Sequence, residues 1–108
     1  PLAYFCTGFV ACLMTQIRAF SKRMRVEIGE LTVKAHIEWE ARVEGRDPYT
    51  SRPVAFRLDV DFDSDASFED QKRLLDAAQK GCFVEATLAN PIPVNHRLMI
   101  DGDFKDAD

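Results

Sequence analysis

From Glu30 to Glu44 the chain alternates without an error. Leu31, Val33, Ala35, Ile37, Trp39, Ala41 and Val43 fall on one side, and Glu30, Thr32, Lys34, His36, Glu38, Glu40, Arg42 and Glu44 on the other. A period of two over this length dictates one long strand with one face on a core and one in water. So long a strand implies a large curved sheet or one shared between two copies of the chain. Gly45-Arg46-Asp47-Pro48-Tyr49-Thr50-Ser51-Arg52-Pro53 is rich in turn residues and reads as a loop. Alternation then resumes, with Val54, Phe56, Leu58, Val60 and Phe62 against Arg57, Asp59, Asp61 and Asp63, which makes an antiparallel neighbour for the first strand.

On either side of this pair the period becomes helical. Residues 3–24 read as one long helix, apolar on nearly all sides through its first four turns, and a helix of that kind is a buried one. The cations Arg18, Lys22, Arg23 and Arg25 gather where a helix C-terminus favours positive charge. Ser67 opens a second helix with Asp70 three residues on, Phe68, Leu74, Leu75 and Ala78 give it an apolar face, and Lys80-Gly81 closes it. Cys82 follows that stop. Asn90-Pro91 breaks the chain again, Ile92 to Ile100 reads as a final strand with His96 in phase with its apolar side, and the acidic tail 101–108 is expected to fray. The order helix, strand, strand, helix, short turn, strand, with no linker or repeat, is that of a single α+β domain over residues 1–108.

Composition excludes several classes. With 108 residues, 46% hydrophobic and 30% charged, the chain is of ordinary globular make-up. A net charge of −4 argues against nucleic acid as a partner. The uncharged run Leu2–Ile17 is interrupted by Thr7, Gly8, Thr15 and Gln16 and is shorter than a membrane span needs, so no membrane role and no signal peptide are expected. Asp59, Asp61, Asp63 and Asp65 imitate part of a calcium loop, but Ser64 stands where the turn needs Gly and the alternation puts the carboxylates on a wet strand face. Two histidines, His36 on a polar face and His96 on an apolar one, without a metal-ligand spacing, support no metal site. No phosphate loop or nucleophile elbow is present, and no cofactor is expected.

The thiols remain. Three cysteines leave one unpaired, which points to a reducing compartment, the cytoplasm. Cys6 and Cys12 are separated by roughly 240° around a helix axis, so they do not face each other. Cys82, past a helix C-terminus, is expected to be the poorer nucleophile, since the helix dipole there opposes a thiolate.

The stretch Pro1-Leu2-Ala3-Tyr4-Phe5-Cys6-Thr7-Gly8-Phe9-Val10-Ala11-Cys12 resembles the start of the central helix of the OsmC/organic-hydroperoxide-resistance family, whose reactive cysteine stands at the position of Cys12. Gly81-Cys82-Phe83-Val84-Glu85-Ala86-Thr87-Leu88 resembles that family's second motif, Cys-Pro-Val followed by a short helical turn. The resemblance implies an intertwined homodimer with sites at the subunit boundary. It also implies thiol-dependent reduction of organic hydroperoxides, with Cys12 peroxidatic, Cys82 resolving and an external dithiol as reductant. Three features depart from the family. Leu2 replaces a Glu, Phe83 and Ala86 replace a Pro and a basic residue, and the N-terminal strands that bring the activating Arg are expected to be missing from this chain. Leu2, Phe83 and Ala86 favour an alternative, a weakened relative that binds a small apolar ligand at the dimer interface; a third reading is a structural or interaction domain with inert core cysteines. The part played by Cys6 stays open.

Overall fold

The computed structural model describes residues 1–108, which form α1 (Leu2–Met24), β1 (Leu31–Arg42), β2 (Thr50–Phe62), α2 (Phe68–Gly81), α3 (Phe83–Ala89), β3 (Arg97–Ile100) and β4 (Asp103–Asp106). The α+β expectation holds. β1 and β2 form an antiparallel ribbon, and β3 and β4 a second, smaller hairpin. Leu31 pairs with Phe62, Val33 with Val60 and Ile37 with Phe56, so the apolar sides of both strands share one face. The register slips between Glu38 and Trp39, where Ala55 and Pro53 are the partners and Val54 is left over as a bulge. β2 therefore begins at Thr50, inside the expected loop. Pro53 is tolerated there because β2 is an edge strand and the bulge leaves its missing N–H unneeded.

α1 packs one stripe inward. Phe9, Leu13, Ile17 and Ser21, four residues apart, are its buried residues. The expectation of a helix buried on all sides is thus met on one side only, with Tyr4 86% exposed, because a single chain offers just one layer to pack against. By length and composition alone α1 could cross a membrane, but its stripe is committed to packing within this fold. The helix ends at Arg25, which takes a left-handed conformation (φ 57°) while the Val26 N–H donates to the Ser21 carbonyl at 2.9 Å. This is a Schellman-type stop made without glycine.

Leu13, Ile17, Val26, Leu31, Val33, Leu74, Ala78 and Cys82 make the core, where α1, α2 and the base of the ribbon meet. α2 starts as its sequence requires, with Ser67 Oγ accepting from the Asp70 N–H at 3.1 Å. Its end differs from the expectation. Gly81 is helical, and its backbone conformation is not what calls for glycine. A Cβ there would lie 2.8 Å from the Phe20 ring, so the residue is small to let α2 approach α1.

The C-terminal region departs further. The final strand covers Arg97–Ile100 rather than 92–100, and the tail expected to fray forms β4. His96 is exposed, not partly buried, and its Nδ1 lies 3.1 Å from Asp108. Phase alone misplaced it, since no layer covers this hairpin.

Candidate functional site

The site lies where α1 meets the joint between α2 and α3. The turn expected after Cys82 is the seven-residue α3, so Cys82 both ends one helix and begins the next. Its thiol caps α3, with Sγ accepting from the Glu85 N–H at 3.5 Å. The reasoning that placed Cys82 only at a helix C-terminus is corrected by this. Cys82 is fully buried, and burial, aided by the neighbouring Cys12, pushes its thiol up from its ordinary value.

Cys12 is partly buried and packs against the core cluster, with its thiol against that of Cys82. Backbone hydrogen bonding from Val84 holds it below its ordinary value, with smaller help from Cys82 and Phe83 and against the opposing effect of burial. The physical source is the unpaired N–H groups that every helix leaves in its first turn, and α3 presents them to a thiolate. Two thiols in contact are thus driven in opposite directions. All three cysteines are free, and Cys6, on the same helix, does not join the group packed on the core.

A cavity of about 320 Å³, whose lining includes neither thiol, is walled by Phe9 and Leu13 of α1, Phe56, Leu58 and Val60 of β2, Leu75 of α2 and Leu88 of α3. Two of its lining side chains are polar, Gln79 and Glu85. Glu85 was not singled out in the sequence, where it reads as a surface residue of a short helix. One of its carboxyl oxygens, Oε2, is buried without a hydrogen-bond partner, and burial pushes the carboxyl up from its ordinary value. Only the cavity, invisible to periodicity, distinguishes it.

The fold that sets this geometry is shared with known proteins. Residues 1–97 match the model of the OsmC-like protein family. The chain belongs to that family. Over 99% of its length and 71% of the other chain it superposes, with a TM-score of 0.95 and 40% identity, on the crystal structure of an OsmC-like hydroperoxide resistance protein from Jannaschia sp. CCS1. An OsmC-like protein from Mycoplasma pneumoniae shares the fold at 21% identity and a TM-score of 0.71, over 84% of this chain and 62% of that one. No curated protein sequence matches.

Proposed function

We propose that this chain reduces organic hydroperoxides through Cys12 and Cys82. The observation that carries the reading is that Cys12 on α1 and Cys82 at the α2–α3 joint lie against each other, Cys12 lowered from its ordinary value by backbone hydrogen bonding from Val84 and Cys82 raised by burial. The 40% identical relative described as a hydroperoxide resistance protein supports the choice of substrate. The Cys12 thiolate attacks the terminal oxygen of ROOH. The O–O bond breaks, the alkoxide leaves and takes up a proton as ROH, and Cys12 becomes a sulfenic acid. The Cys82 sulfur then attacks the sulfenic sulfur, forming a disulfide and releasing water. An external dithiol restores both thiols by exchange and is itself oxidised. Cys82 suits the second step because a buried thiol raised from its ordinary value competes less with Cys12 for the peroxide.

The working unit in this reading is a homodimer. The chain has a radius of gyration of 18.9 Å, against about 13 Å for a compact chain of this length. Leu2, Tyr4, Val43, Tyr49 and Val54 are exposed around one end. A second copy covering them would supply the missing layer.

Thiol titration of the purified protein before and after one equivalent of cumene hydroperoxide, with peptide mapping, tests the chemistry. The expected result is rapid loss of two thiols and one disulfide joining Cys12 to Cys82. Cys12→Ser should abolish turnover, and Cys82→Ser should permit a single oxidation. Unchanged thiols after minutes would overturn the reading and leave the cavity as a binding site for a small apolar ligand.

A further inference from the structure

Reduction of a Cys12–Cys82 disulfide must begin at one sulfur or the other, and the fold treats the two differently. Cys82 has no exposure and sits within the core cluster with Leu13, Ile17, Leu74 and Ala78. Cys12 only flanks that cluster and is partly exposed. Its neighbours on α1, Gly8, Ala11 and Thr15, are all exposed. Thr15 is folded back on its own helix, its hydroxyl donating to the Ala11 carbonyl at 2.8 Å. Gly8 is the informative one. Its backbone is helical, so conformation does not call for glycine, and a Cβ there would meet nothing within 4 Å, so packing does not either. Glycine inside a helix destabilises it relative to alanine. What the missing side chain leaves is bare backbone in the turn that the Cys12 side chain overlies, since helical side chains lean toward the N-terminus.

We infer that the external dithiol enters at the Cys12 sulfur, through the opening that Gly8 leaves in α1, and that the mixed disulfide forms on Cys12 rather than on Cys82. The inference rests on the Cys12–Cys82 couple proposed above. One thiolate of the reductant attacks Cys12 Sγ along the S–S axis. That bond breaks, and the Cys82 sulfur leaves with the electron pair and takes up a proton. The Glu85 N–H, which donates to Cys82 Sγ at 3.5 Å, meets the departing charge. The second thiolate of the same reductant then attacks the reductant sulfur bound to Cys12, closing a cyclic disulfide and releasing Cys12 as thiolate. The protein disulfide has gained one electron pair and the dithiol has lost one. Leaving-group strength favours the other sulfur in the first step, because a thiol with a raised pKa departs more slowly. Access overrides it. An approach to Cys82 would require the α2–α3 joint to open out of the core, where Leu74 and Ala78 are equally buried. Cys82 stays beside the mixed disulfide and can reclaim Cys12 from a reductant with one thiol, so ring closure by the second thiol completes the step.

The test needs no peroxide. Diamide joins two neighbouring thiols and is itself reduced to the hydrazine, so it prepares the Cys12–Cys82 disulfide in the full chain. 2-Mercaptoethanol is then added, the reaction is stopped in acid at short times, and the adduct is located by peptide mapping. Adduct on Cys12 should exceed adduct on Cys82 by about tenfold or more, and in urea, where both sulfurs are free, the preference should vanish. In Gly8→Leu, reduction of the disulfide by dithiothreitol should slow about tenfold in the folded protein and proceed at the native rate in urea, with Gly8→Ala closer to native in both. Leucine is a strong helix former and meets open space there, so the variant should fold. Adduct mainly on Cys82, a preference that persists in urea, an unslowed Gly8→Leu, or no Cys12–Cys82 bond after diamide would each overturn the inference. A protein inert to cumene hydroperoxide that still gave the Cys12 adduct would keep it and lose only the peroxide chemistry.

Discussion

The two ends of β1 carry the same alternation and meet different fates. At its base Leu31 and Val33 are buried beneath α1 and α2, with Leu13, Ile17 and Leu74. Toward its tip the pattern continues through Trp39 and Ala41 to Val43, yet Val43 is 69% exposed. Between the ends, Trp39 is half-covered by Phe5, their rings 6.0 Å apart, and Phe56 by Phe9 at 6.5 Å. Alternation therefore declares which face wants cover, and it is silent on whether this chain supplies that cover.

That contrast can be broken most directly by truncation. Leu74→Ala, at a site with no exposure, should cost about 2–5 kcal/mol in chemical denaturation, whereas Val43→Ala should stay within about 0.5 kcal/mol in a single chain. Equal losses would mean that the tip is as firmly covered in solution as the base. Gly81→Ala should come next, at about 1–3 kcal/mol, because the new methyl group must displace the Phe20 ring. It should also slow reaction of Cys12 with peroxide, as the joint carrying Cys82 is pushed away from α1. Loss of stability at full reactivity would separate packing from the site.

A smaller effect concerns the thiols themselves. A thiol with a lowered pKa becomes thiolate at lower pH, so the Cβ chemical shift of Cys12 followed by NMR should titrate at lower pH than that of Cys82. The Cys12 charge contributes to raising Cys82, so Cys12→Ser should move the Cys82 profile to lower pH. A Cys82 profile that did not move would show that burial alone sets it. The least change in fold and the clearest change in mass belong to Val54→Asp. Its secondary structure by circular dichroism should match the native protein, while light scattering should show a single chain in place of two.

Much of the base could be read from the residues alone. α1 was expected over residues 3–24 and spans Leu2–Met24, and the Ser67 cap and the pairing of the two long strands follow from local chemistry. The OsmC-like resemblance rested on the segments around Cys12 and Cys82, and the family is the one that residues 1–97 match. What escaped depends on contacts distant in sequence. α3 is short, and Phe83, Val84 and Leu88 give it no clear helical stripe to announce it. β4 carries a single apolar residue, Phe104, among charged ones. Glu85 acquires meaning only from side chains on three other elements. Gly81 looked like a stop signal because glycine usually is one, while here its use is steric.

The position of Cys82 at the joint of two helices has a thermodynamic corollary. A bond from it to Cys12 would tie the first helix to the last two and close a loop of about 70 residues, which in the chain-entropy view removes up to about 4 kcal/mol of freedom from the unfolded chain. Oxidised and reduced protein would then melt at different temperatures. Having consumed a peroxide, the molecule would carry the record of that event as added resistance to heat, erased when a reductant reopened the loop.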